Sequence, residues 1–107
     1  MEYEKLKKHE VFDGVRVIPL YCDDKIMITI FEIDTEVKAH KHESLQFGLV
    51  LDGESRFRIG EEIKNIGKGV FFYVPSNVEH EVKATKKPFR VLIVFIPPRK
   101  EYLHLFK

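Results

Sequence analysis

The chain has 107 residues, with 18 Lys and Arg against 17 Asp and Glu, five His, one Cys and no Trp. That length fits one domain spanning 1–107. The formal net charge of +1, with basic and acidic residues interleaved, gives no electrostatic footprint for a nucleic acid or an anionic membrane. No apolar run approaches the ~20 residues needed to cross a bilayer, and the N-terminal MEYEKLKKHE lacks the apolar stretch of a signal peptide. The expectation is a soluble, cytoplasmic protein that binds neither nucleic acid nor membrane. Cys22, the lone cysteine, cannot close an intramolecular disulfide, so a core must hold the fold. Charged residues make up 33% of the chain while Asn and Gln together number three, a balance that leans toward a heat-adapted source.

Val (11), Ile (10) and the aromatics dominate the apolar set while Ala occurs twice, a strand-former's composition. In chain order, apolar or alternating runs predict strands at 15–20, 25–33, 45–51, 54–59, 62–66, 70–74, 80–84 and 90–96. Turn signals separate them: Asp52-Gly53 as a two-residue hairpin, then Gly60-Glu61, Gly67 to Gly69, Pro75-Ser76-Asn77 and Lys87-Pro88. Many short strands with tight turns predict an all-β barrel or jelly roll, with the barrel at about 15–99, an N-terminal arm at 1–14 and a C-terminal tail at 100–107. Only the first ten residues and the tail EYLHLFK are candidates for helix.

The chemistry concentrates in AHKHESLQFGLVLDGE and GKGVFFYVPSNVEH. His40 and His42 are two apart, so on a strand their imidazoles share one face. His80, following Pro75-Ser76-Asn77, adds a third nitrogen if its strand pairs beside theirs. Three neutral imidazoles suit a divalent transition metal: nickel, manganese, iron, cobalt, copper or zinc. Gln46, the only glutamine, follows four residues after His42.

These segments resemble the cupin superfamily from about Ile26 to Arg99. The motif G-x5-H-x-H-x3,4-E-x6-G is matched by His40, His42, Gln46 and Gly53, and G-x5-P-x-G-x2-H-x3-N by Gly69, Pro75 and His80. Asp34, Gln46, Asn77 and Ala84 depart from it; Asn77 is a mild change, because Asn tolerates positive φ. The resemblance implies a double-stranded β-helix, a metal held by His40, His42, His80 and Gln46, and commonly a homodimer, often with N-terminal strand exchange.

A two-residue hairpin at Asp52-Gly53 would set Gln46, Gly48 and Val50 opposite Ile59, Phe57 and Ser55, all facing the barrel interior. The other side then carries Phe47, Leu49 and Leu51 beside Arg56 and Arg58, a face that either a second sheet of this chain or a second copy must cover. The ending FIPPRKEYL is similar to the Asp-x-Phe-x-Pro-Pro-Arg of small cupins that linearise unsaturated uronates. Phe95, Pro97, Pro98 and Arg99 match; Ile93 stands where the aspartate would be. The resemblance implies that Phe95 and Arg99 meet the substrate, with core packing and a solvated tail charge as their plainer alternatives.

Three readings follow: a metal-dependent enzyme acting as Lewis acid on a small, oxygen-rich, anionic, sugar-acid-like molecule; an iron- or copper-dependent dioxygenase; or a non-catalytic module binding metal or a small ligand. The last draws on the lack of an interior carboxylate. Glu43 points away from the metal if the strand has begun there, and His9 and His104 fall outside both motifs as surface residues.

Overall fold

Alternation of buried and exposed residues runs along two long segments, and their mutual pairing organises the fold. The computed structural model describes residues 2–107; Met1, first residue of the expected arm 1–14, lies outside the described residues. Among these there are eight strands: β1 (His9–Phe12), β2 (Val15–Cys22), β3 (Met27–Ile33), β4 (Glu36–His40), β5 (Leu45–Ile59), β6 (Glu62–Gly67), β7 (Phe71–Val74) and β8 (His80–Ile96). Short 3-10 turns at Tyr3–Lys5 and Lys100–Phe106 occupy the two stretches expected to be helical. Among the described residues, no helix is long and apolar enough to cross a membrane.

β5 and β8 are antiparallel partners along their whole lengths, from Leu45 opposite Ile96 to Ile59 opposite His80. The first half of β5 pairs with β7 and its second half with β6. The second half of β8 pairs with β3, in the order β1-β2-β3-β8, and its first half with β4. The long strands therefore belong at one end to β1-β2-β3-β8-β5-β7 and at the other to β4-β8-β5-β6, and the two sheets close on one core as a jelly roll. Phe57 and Phe72, from different strands, meet in that core at 4.5 Å between ring centroids.

Asp52-Gly53 is not a hairpin. The β5–β8 ladder is irregular from Val50 to Ser55 but continues in the same direction, because β8 offers partners on both sides of the interruption. Gly53 has φ of +77°, and a Cβ there would strike the carbonyls of Lys86 and Pro88. Nor does Lys87-Pro88 end its strand. The reversal comes at Gly60-Glu61, which joins Ile59 to its partner Glu62. Most of the expected interior set nevertheless holds, with Gln46, Gly48, Val50, Ser55 and Phe57 buried and Ile59 half-buried. The irregularity shifts side-chain parity just as the two-residue turn would have. Gly48 lies directly beneath the Phe72 ring, where any Cβ would collide with it.

On the outer side, Arg16, Glu32 and Arg90 form one cross-strand row, and Lys8 reaches over it. Glu32 is buried and accepts hydrogen bonds from all three cations, at 2.7 Å from Arg16 and 2.8 Å from Arg90. Burial alone would raise its pKa, but the bonds from Arg90, Lys8 and Arg16 outweigh that and hold it at about 2.

Candidate metal centre

Pairing of β4 with β8 sets His40 directly opposite His80, so neighbouring strands supply the first two imidazoles. Their ring centroids are 4.3 Å apart. His42 lies just past β4 on the link to β5 rather than on a strand, yet its ring stands 5.3 Å from that of His40 and 4.9 Å from that of His80. The link is pinned from three sides. Asn77 N–H donates to the His42 carbonyl at 2.8 Å, Ser76 Oγ donates to the Glu43 carbonyl, and Ser44 Oγ donates to the Pro97 carbonyl at 2.5 Å. Asn77 has φ of +62°, so it fills the position where a glycine would be usual without losing the turn.

Each histidine is oriented by the same device. Nδ1 of His40, His42 and His80 lies 2.9, 2.7 and 2.9 Å from the carbonyls of Lys38, Ser44 and Val78. A carbonyl only accepts, so each Nδ1 carries the proton and each Nε2 presents a lone pair. The ligand atoms of the three residues lie within 4.8 Å of one another. Nε2 of His42 and of His80 are buried without a hydrogen-bond partner. Two enclosed lone pairs turned toward a third are costly unless something electrophilic occupies the point where they converge, so the donor set fits a divalent transition metal.

The electrostatics agree. Burial first and the Arg99 charge second push the His42 pKa down to about 4. Burial, followed by the neighbouring His40, His42 and Arg99, takes His80 to about 4. His40 is also lowered, mainly by burial. All three are neutral at physiological pH, the form that ligates.

Gln46, on β5 opposite Phe95 and Val74, is buried and lines the same small cavity as His40 and His80. Ile93 and Phe95 face that cavity too. Phe95 is both core and site: it is 1% exposed, and its ring meets His42 edge-on at 5.9 Å. Arg99 is no solvated tail charge. It is 9% exposed, its guanidinium lies over the neighbouring rings of Phe95 (5.3 Å) and Tyr102 (5.1 Å), and its Nε donates to Glu101 at 3.0 Å. Glu43 is exposed, His104 is exposed and His9 is half-buried; none joins the histidine group.

Tyr102 and Glu101 are the neighbours that sequence reasoning missed. The signal was an acid and an aromatic two and three places after Arg99, which the 3-10 turn folds back over it.

Residues 27–95 match the Cupin domain family. An uncharacterized protein of Streptomyces coelicolor is 33% identical over 61 residues, which is 57% of this chain and 56% of that protein, so the match spans little more than half of the relative's length. Among solved structures, an RmlC-like cupin from Shewanella frigidimarina superposes with a TM-score of 0.89 at 22% identity, over 96% of this chain and 94% of that one. KdgF from Halomonas sp. gives 0.87 at 21% identity, over 94% of each. A predicted oxalate decarboxylase from Thermotoga maritima gives 0.80 at 16% identity, over 91% of this chain and 97% of that one. With a matching family over most of its length, a jelly roll built on two long shared strands and a three-histidine cluster at its end, the chain belongs to the cupins.

Proposed function

We propose that this cupin is a metal-dependent enzyme in which His40, His42, His80 and Gln46 hold one divalent transition ion and Arg99 holds the anionic group of a small, oxygen-rich, sugar-acid-like substrate. The observation that carries the reading is the convergence of three proton-free Nε2 atoms, two of them buried and unpartnered. A divalent ion in that position supplies Lewis-acid polarisation of a carbonyl or hydroxyl pair. The chain's own residues do the rest. The Lys38, Ser44 and Val78 carbonyls fix the imidazole tautomers. The Phe95 and Tyr102 rings hold the Arg99 guanidinium in place, and Phe95 and Ile93 keep the inner cavity dry.

The four donors are formally neutral, so the ion keeps its full charge and favours anionic oxygens, as does Arg99. The Phe95, Pro97, Pro98 and Arg99 ending and the likeness to KdgF support a sugar acid. Ile93 leaves no carboxylate at the position where the uronate-linearising cupins carry one. Imidazole and amide donors admit nickel, manganese, iron, cobalt, copper or zinc alike. The test is metal content together with loss of the ultraviolet absorbance of unsaturated galacturonate; a fully metallated protein that leaves the absorbance unchanged dismisses that substrate.

Gln46 can be tested on its own. A carboxylate at this position adds a negative charge to the metal's surroundings, so Gln46→Glu should tighten divalent binding by at least ~10-fold, the equivalent of about 1.4 kcal/mol, while Gln46→Ala weakens it. Competitive metal titration reads both. Unchanged affinity in both variants would make the centre a three-histidine one.

The outer face points to a second copy of the chain. Phe47 and Leu49 on β5 pair with Tyr73 and Phe71 on β7, and all four are exposed, Phe71 by 61%. The Phe47 ring stacks on Tyr73 at 5.1 Å and on Phe71 at 6.0 Å. Arg56 and Arg58 lie further along β5 and do not interrupt this cluster. A flat aromatic patch on a chain of net charge +1 meets little electrostatic resistance to self-association. Sedimentation should report a homodimer, and Leu49→Glu should shift it toward monomer by ~10-fold or more in dissociation constant, since it buries a charge against apolar rings. A wild-type monomer at micromolar concentration would contradict this assignment.

A further inference from the structure

The inner cavity, about 40 Å³ and lined by His40, Gln46, His80, Arg99 and Tyr102 among apolar residues, lies between two open clefts. One, of about 630 Å³, carries His42; the other, of about 740 Å³, carries His40. Arg99 borders all three spaces, while His40 and Tyr102 border the inner cavity and the larger cleft. These three side chains, with Val37, therefore frame the doorway from the His40 side. We propose that an anionic ligand reaches the histidines through this doorway, and that the Tyr102 hydroxyl donates a hydrogen bond to the ligand's carboxylate as it lies against Arg99. This rests on the metal-centre reading and adds to it a route and a residue.

Charge separates the two clefts. On the His42 side Asp23, Asp24, Glu43 and Glu101 oppose Arg99 and Lys100, which disfavours an approaching anion. On the His40 side Asp13 and Glu36 are balanced by Lys38 and Arg99, and the remaining wall is largely apolar, including Phe12, Val37 and Ala39. Glu101 already occupies the Nε edge of Arg99, which leaves the terminal Nη edge for a ligand.

Tyr102 is suited to complete that contact. Its ring packs edge-on against Phe31 at 5.6 Å and beside the Arg99 guanidinium, so the phenol is held rigidly. Among the described residues, no protein group hydrogen-bonds its hydroxyl, and the residue lines both the inner cavity and the larger cleft. Apart from the proposed metal donors and Arg99, it is the only side chain lining the inner cavity that carries a polar hydrogen, the position of Ile93 having none to offer. Burial also raises the phenol's pKa, so it remains a donor across the working range.

The experiment is a titration of cobalt-loaded protein with glycolate, read from the visible cobalt spectrum, with cobalt affinity measured separately. Tyr102→Phe keeps the ring and its packing and removes one hydrogen bond. Glycolate affinity should fall by ~3- to 10-fold, with cobalt affinity unchanged and ethylene glycol, which lacks the carboxylate, unaffected. Ala39→Trp, which plugs the larger cleft, should weaken glycolate binding, while Leu103→Trp in the opposite cleft should not. Equal glycolate affinity in wild type and Tyr102→Phe overturns the role of Tyr102, and the reverse pattern for the two Trp variants overturns the route. Wild-type protein that holds cobalt but not glycolate overturns both. Failure to take up cobalt refutes the metal centre itself, and this proposal with it.

Discussion

In the His80→Ala variant, stoichiometric metal binding should be lost. His80 is 3% exposed and stands opposite His40, and its Nε2 has no protein partner, so it supplies one of three converging lone pairs and nothing else in the cavity can replace it. The loss should exceed the ~10- to 100-fold that removal of a mere outer hydrogen-bond partner costs. His42→Ala should behave alike. Glu43→Ala is the control: its side chain is exposed, outside the histidine group, and its only role in the loop is a backbone carbonyl that accepts from Ser76. Competitive titration with a chromophoric chelator measures all three, and equal loss in Glu43→Ala would show that the loop, not the imidazoles, governs uptake.

A large stability effect should come from Glu32→Gln, on the outer row of the sheet rather than at the histidines. A buried carboxylate serves Lys8, Arg16 and Arg90 at once, and its removal leaves two arginines, each only about a quarter exposed, without their shared partner. A shift from 4.5 to about 2 corresponds to about 3 kcal/mol at neutral pH. The folded-state pKa is depressed, so the stabilisation is fully present above about pH 4.5 and disappears as pH falls toward 2. Denaturant melts of wild type and Glu32→Gln should differ by about that amount at pH 7 and converge near pH 2. A difference that stays constant over that interval would mean the row acts through packing rather than charge.

How much of this was legible in the sequence depended on whether the signal was local. Strand alternation and the His40-x-His42 pair are local, so the all-β class and two of the imidazoles could be read directly; His80 joined them through the spacing of the cupin motifs, and the interior set on β5 came from a hairpin that the structure replaces with an irregularity of the same parity. Asp52-Gly53 misled because a dipeptide that favours a tight turn equally serves an irregularity in a continuous strand. Only the distant partner β8, on both sides of it, decides between them. β4 escaped notice because EVKAH offers only Val37 and Ala39 as apolar residues, too few for a pattern, although its pairing with β8 is what brings His40 to His80. Tyr102 was opaque, and Arg99 was marked only by the resemblance: whether a charged residue after Pro97-Pro98 goes to solvent or over two rings is settled by the chain folding back after it.

The most direct measurement is the long-range proton–nitrogen correlation spectrum of the histidine side chains, recorded with and without one equivalent of zinc. Five imidazoles are present. Without metal, His40, His42 and His80 should all appear as neutral rings protonated at Nδ1. With zinc, the Nε2 resonances of these three should move together while Nδ1–H is retained, and those of His9 and His104 should stay in place. Unshifted Nε2 resonances at full zinc occupancy, or a shift confined to His9 or His104, would contradict the account.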